Sequence, residues 1–155
     1  MKENHQPPRW RIALVREGEP PSFPAKTIRS SGDVIQAFGF LDDRDREEFW
    51  VAALDGKNRV IATHCASIGT LTASLVHPRE IMKFLILSSA AAAILAHNHP
   101  SGDPSPSAED QAITQRLVDV TSLLGVRILD HVIIAHERGY SFSDHGLLPV
   151  AGVVC

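Results

Sequence analysis

Two histidines, a serine and an aspartate crowd into one short stretch: His97-Asn98-His99-Pro100-Ser101-Gly102-Asp103-Pro104-Ser105-Pro106-Ser107-Ala108-Glu109-Asp110. His97 and His99 are two apart, so on an extended segment both imidazoles point to the same side. Asp110 is the third residue after Ser107, and in a helix's first turn it could reach back as an oxygen ligand. Two imidazoles and one carboxylate leave a fourth tetrahedral position for water, the pattern of a catalytic zinc site rather than a closed structural one. Zinc lowers the pKa of bound water to about 7, which makes a nucleophile available at neutral pH. Such a reaction also needs a general base for the water proton and a donor aimed at the developing oxyanion. Ser107 is placed for the second role.

Each part of this pattern has a plainer reading. Ser107-x-x-Asp110 also spells a capping-box variant, in which serine caps a helix and the acidic residue bonds back. Histidine pairs two apart are common on surfaces and in cores. Capping explains neither histidine, however, and a loop explains no pair, so the joint pattern favours a metal site.

The flanking elements suit this role. Ala92 to Ala96 is short and fully apolar, a buried strand that delivers His97 and His99 at its C-terminal end. Pro100, Gly102, Pro104 and Pro106 make the following loop compact and stiff. Ser107 opens an amphipathic helix with Ile113, Leu117, Val120 and Leu124 on one face, and Gly125 ends it. Upstream, Phe49 to Leu54 reads as a strand, Asp55-Gly56-Lys57-Asn58 as a hairpin turn, and Arg59 to Ile68 as the returning strand. Pro78 starts a helix that continues to about Ala91 with apolar residues all round. Val126 to Ala135 reads as another buried strand and Tyr140 to Phe142 as a last edge strand.

Nearer the N-terminus, Trp10 to Val15 is a short strand candidate and residues 17–26 a Pro-rich connector. Ser30 or Ser31 caps a helix through Val34, Ile35 and Phe38. Helices interleaved with strands, plus one hairpin, predict an α/β fold: a mixed sheet with helices packed on it. Residues 1–27 form an N-terminal extension, 28–146 the domain, and 147–155 a C-terminal tail.

The 155-residue chain fits one domain with a substantial core. Its 44% hydrophobic and 21% charged residues are ordinary for a folded soluble protein. A net charge of -3 argues against a strong electrostatic grip on nucleic acid or an anionic membrane. Cys65 and Cys155 give no disulfide framework and no cysteine zinc spacing, which suits a reducing cytoplasm. The N-terminus lacks a signal-peptide core, and the longest nearly apolar run, Phe84 to Ala96, is too short to span a bilayer. A cytoplasmic protein is expected.

The stretch resembles the JAMM motif of the JAB/MPN metalloprotease superfamily, His-x-His-Pro-x6-Ser-x2-Asp, with no departure. The resemblance is closer to the RadC-like branch. His97 to Asp110, Val76-His77-Pro78-Arg79-Glu80, Leu129 to Ile134 and Tyr140 to Phe142 all look like that branch, over roughly residues 28–146. It implies a cytidine-deaminase-like α/β fold, a single Zn2+ held by His97, His99 and Asp110, and hydrolysis of peptide or isopeptide bonds in a peptide or protein substrate. It also implies an upstream glutamate as acid/base. The RadC-like Glu-x-Phe pattern selects Glu47, with Glu48 as the alternative; adjacent strand residues face opposite ways, so only one can look at the metal.

The branch carries a DNA-repair name, so a DNA-associated role in repair or mobile-element biology is the alternative, and a non-catalytic scaffold a third. The first thirty residues are too few and too Pro-rich for the helix-hairpin-helix extension of many full-length relatives. A literal His-Asn-His does not make an HNH nuclease, and the deaminase signature His-x-Glu with Pro-Cys-x-x-Cys is missing. His131 reads as a hydrogen-bonded core residue or as support for a ligand. His64 with Cys65 reads as structural, and His77, His136 and His145 as surface or turn residues. Arg79 and Glu80 suit a local ion pair or dipole contact at a helix start.

Overall fold

The alternation in Glu48–Leu54, strand β1, decides the layering. Phe49, Val51 and Ala53 enter one core, while Ala52 and Leu54 enter another on the opposite face. The computed structural model describes residues 9, 11–19, 27–69 and 76–152. Along the chain follow α1 (Ser31–Ala37), a 3-10 turn (Gly39–Asp43), β1, β2 (Val60–Ile68), α2 (Pro78–Leu87), β3 (Ala92–Asn98), α3 (Ala108–Ser122), β4 (Arg127–Ala135) and β5 (Arg138–Ser141). The five strands form one mixed sheet in the order β2-β1-β3-β4-β5. Only the β3–β4 pair is parallel, as expected when α3 forms the crossover between them. Helices α2 and α3 cover one face; α1 and the 3-10 turn cover the other. This is the expected α/β architecture.

β3 is buried along its whole length. Being central, it is apolar on both faces, and its last residues carry the polar groups out to the sheet's end. The 55–58 hairpin turn closes on Asp55, whose Oδ1 accepts from the backbone N–H of Lys57 (2.8 Å) and Arg59 (3.0 Å). Asn58 there takes a left-handed backbone conformation, φ 56°. Ser30 caps α1 through a reciprocal capping box with Asp33.

Four expectations need correction. Residues 11–15 form no strand, and Ile12, Leu14 and Val15 are exposed; an apolar run becomes a strand only beside a partner. Trp10 itself and residues 20–26 of the connector lie outside the described residues. Helix α2 stops at Leu87, short of Ala91. Ser89 turns left-handed (φ 54°), and the Ala90 N–H returns to the Leu85 carbonyl at 3.0 Å, closing a Schellman-type end without a glycine. Nor is α2 apolar all round: Ile81, Met82, Phe84 and Leu85 are buried, whereas the charged Arg79, Glu80 and Lys83 lie on the exposed side beside Ile86. The buried face of α3 is Asp110, Ile113, Thr114, Leu117, Val118 and Thr121. Val120 sits at the edge of this face and is only partly covered, and Leu124 lies exposed because the helix has already ended at Ser122. No helix among the described residues is long and apolar enough to cross a membrane.

Candidate metal centre

β3 ends with His97 facing the α3 side of the sheet, and His99 continues from it, its N–H bonded to the Ile134 carbonyl at 2.9 Å. Ser107 is the N-cap of α3 and Asp110 its third residue, so the first helical turn lowers the carboxylate onto the strand tip. The structure thus brings His97, His99 and Asp110 together, with their candidate ligand atoms within 4.8 Å of one another. His97 Nε2 is 3.1 Å from Asp110 Oδ1, His99 Nε2 is 3.3 Å from Oδ2, and the two Nε2 atoms are 3.0 Å apart. Ligands bonded to a tetrahedral zinc at about 2.0–2.1 Å lie about 3.3 Å from each other. The spacing fits such an ion.

One atom makes the fit more than spatial. Asp110 Oδ1 is buried and has no hydrogen-bond partner among the described residues. Its approach to His97 Nε2 therefore has the distance of a polar contact without the geometry of a hydrogen bond. A buried carboxylate oxygen left bare costs of order 1–3 kcal/mol or more, and a shared cation satisfies it. His99 Nδ1 lies 2.7 Å from the Asp103 carbonyl. A carbonyl only accepts, so Nδ1 carries the proton and Nε2 is free for the centre. His97 is fully buried, whereas the His99 side chain is 13% exposed; the site opens past His99.

The electrostatics agree. Burial pushes the Asp110 carboxyl upward, yet the two imidazoles and the Ser107 N–H outweigh it and hold Asp110 well below the usual carboxylate range. Burial lowers the His97 pKa. Burial also acts downward on His99, but Asp110 and the Asp103 carbonyl raise it overall. These neighbours favour the charged form of Asp110 between the two imidazoles.

Glu47 and Glu48 separate as strand alternation demands. Glu48 Oε2 accepts from Trp50 Nε1 at 2.8 Å, and Oε1 lies 3.6 Å from Arg44 Nε, both on the α1 side. Glu47 is half-buried, and its charge acts on both His97 and His99. Ser107 forms the full capping box: its Oγ accepts from the Asp110 N–H (3.0 Å) and donates to Asp110 Oδ2 (2.7 Å), and its own N–H bonds Oδ2 at 2.7 Å. The cap therefore orients the candidate ligand.

Residues 28–147 match the family described as the RadC-like JAB domain. The chain belongs to that family. A UPF0758 protein of Symbiobacterium thermophilum is 55% identical over 102 residues, 66% of this chain and 44% of the relative. One from Syntrophotalea carbinolica is 53% identical over 108 residues, 70% of this chain and 48% of the relative. One from Desulforudis audaxviator is 44% identical over 137 residues, 88% of this chain and 58% of the relative. The chain thus spans about half the length of these curated relatives.

The RadC-like JAB domain holds further residues at its centre that the sequence did not single out. Asn98, between the two histidines, points to the opposite face and is 2% exposed. Its Oδ1 accepts from the Glu48 N–H (2.8 Å), and its Nδ2 donates to the Arg46 carbonyl (2.9 Å). Thr114, one helical turn after Asp110, is fully buried beside His131; its i, i+4 spacing from Asp110 was the available signal. His64 is half-buried and stacks on Phe84 with ring centroids 5.2 Å apart, away from the centre. Arg79 and Glu80 start α2, where Glu80 pairs with Lys83 at 2.6 Å.

Proposed function

We propose that this domain is a zinc-dependent hydrolase of amide bonds, peptide or isopeptide, in a peptide or protein substrate. The observation that carries this reading is the convergence of two imidazole nitrogens and a partnerless carboxylate oxygen, with a glutamate charge beside them. Zinc held by His97, His99 and Asp110 would supply a Lewis acid able to bring the pKa of a water molecule to about 7. Glu47 takes a proton from the attacking water as its oxygen adds to the carbonyl carbon. It then returns that proton to the amine nitrogen as the C–N bond breaks, leaving a carboxylic acid and an amine. Glu47 rather than Glu48 is assigned this role, since Glu48 is engaged on the other face by Trp50 and Arg44. Ser107 is assigned to the carbonyl oxygen, which requires its hydroxyl to rotate away from Asp110 Oδ2.

Metal analysis and peptide-library hydrolysis of wild type, His97→Ala/His99→Ala and Glu47→Gln test the reading. We expect one zinc per chain and cleavage for wild type, loss of both in the double histidine variant, and retained zinc without cleavage in Glu47→Gln. Full zinc loading without both histidines would exclude the centre. A DNA-directed role for the same centre has less behind it, given the net charge of -3. A salt titration of DNA binding with a slope near zero would count against it.

A further inference from the structure

Behind His97 lies a closed circuit of buried groups drawn from three elements. Thr114 Oγ1, on α3, hydrogen-bonds the main-chain carbonyl of Asp110 and lies 2.6 Å from His131 Nδ1, on β4. His131 Nε2 lies 2.8 Å from Nδ1 of His97, on β3. His97 Nε2 returns to within 3.1 Å of Asp110 Oδ1. His97, His131 and Thr114 have no exposed surface, so the circuit is shielded from bulk solvent.

Counting protons settles the direction of every bond. The Asp110 carbonyl has no proton, so the Thr114 hydroxyl must donate to it. That uses the only proton Thr114 has, so the contact with His131 must be a donation from His131 Nδ1–H. With its proton on Nδ1, a neutral His131 carries a lone pair on Nε2. The contact with His97 must accordingly be a donation from His97 Nδ1–H. His97 Nε2 is left as a lone pair facing Asp110 Oδ1 and His99 Nε2. Three acceptor atoms then converge, and a shared divalent cation satisfies all of them at once.

We infer that His131 and Thr114 are positioning residues of the metal centre: a buried hydrogen-bond relay, anchored on the backbone of one ligand, that fixes the tautomer of another and dedicates its Nε2 to a divalent cation. The inference rests on the metal reading of the site and is independent of the reaction. Packing holds the relay's aim. The His131 ring is stacked on Phe142 (centroids 4.8 Å, 20°) and edge-on to Phe49 (5.4 Å, 65°). An aromatic hydrocarbon would fill that slot equally well, but it could not accept the His97 proton. Metal-bound histidines generally owe their orientation and basicity to such an outer partner, and losing it weakens binding about 10- to 100-fold.

The two halves of Thr114 allow a clean test. Thr114→Val keeps the branched shape and removes the hydroxyl; Thr114→Ser keeps the hydroxyl and removes a methyl group. Zn2+ affinity is measured by chelator competition on the full chain at pH 7.5, alongside Co2+ absorption spectra and thermal melts. The 15N shifts of His97 in the zinc-free protein report its tautomer. We expect Thr114→Val and His131→Phe to bind zinc about 10- to 100-fold more weakly with altered Co2+ spectra. Thr114→Ser should bind nearly as wild type despite a lower melting temperature, and His97 should carry its proton on Nδ1. Affinity that tracks melting temperature across the variants, or a proton on His97 Nε2, would overturn the relay while leaving the metal site intact. A wild-type chain that takes up neither cation would overturn the metal reading and the relay with it.

Discussion

Asn98 clasps both peptide groups that flank Glu47. Its amide accepts the N–H that follows Glu47 and donates to the carbonyl that precedes it, at 2.8 and 2.9 Å. A residue lodged between two candidate ligands thereby sets the backbone from which the candidate base projects. Asn98→Ala removes the partner of two part-buried backbone groups, so a lowered melting temperature is expected. Zinc content should persist because the end of β3 still carries His97 and the loop beyond it His99. Peptide turnover should fall to the level of Glu47→Gln, and the double variant should fall no further. Independent, additive losses in that cycle would show that Asn98 does not act through Glu47.

Ser107 has two duties that one substitution separates. As the N-cap of α3 it holds Asp110 by three hydrogen bonds, and its loss alone costs about 1 kcal/mol of stability. As an oxyanion donor it would be worth about 10²–10³ in kcat. We expect Ser107→Ala to retain zinc at saturating metal and to lose turnover on that larger scale with KM little changed. A loss confined to melting temperature would reduce Ser107 to a cap.

Asp130 gives a pH signature away from the ligands. It is 5% exposed and accepts from Ser141 Oγ (2.6 Å) and from the backbone N–H of His131 (2.8 Å) and Ser143 (3.0 Å). Burial raises its pKa above 3.8 despite these bonds. The folded state therefore holds this proton more tightly than the unfolded chain. Its contribution to stability is greatest below pH 3.8 and declines as pH rises through the folded pKa. Melting temperatures of wild type and Asp130→Asn, compared from pH 3.5 to 7, should show the wild type's relative standing fall across that rise. A constant difference would mean that Asp130 titrates alike in both states.

The centre was legible where its chemistry is local. His97, His99, Ser107 and Asp110 declare themselves by spacing, since one strand tip, one stiff loop and one helical turn carry them all. Glu47 was reached only through resemblance, because its proximity depends on β1 pairing with β3. Asn98 was hidden for the same reason: its partners lie some fifty residues away and meet it only across the sheet. Composition carries α2 on to Ala91, whereas Ser88 and Ser89 end it without glycine or proline, and a left-handed serine leaves no compositional mark. The apolar composition of Trp10 to Val15 predicts a strand, yet residues 11–15 form none, because strands are made by neighbours.

Gly102 links the loop's backbone to the orientation of His99. It has φ +83°, and a Cβ there would lie 2.0 Å from His136 Cδ2. Its carbonyl accepts from Arg138 Nη2 at 3.1 Å, tying the loop to β5. The next residue, Asp103, supplies the carbonyl that holds His99 Nδ1. Gly102→Ala must displace either the His136 ring or the loop, and shifting the loop moves the Asp103 carbonyl. Weaker zinc binding is therefore expected, with a lower melting temperature. Adding His136→Ala removes the clash but leaves the left-handed backbone strain of about 1–2 kcal/mol, so affinity should recover in part and stability less. Complete recovery of both in the double variant would show that the ring alone dictates glycine at position 102. No recovery of affinity would place the cost in the backbone and make His136 a bystander to the metal loop.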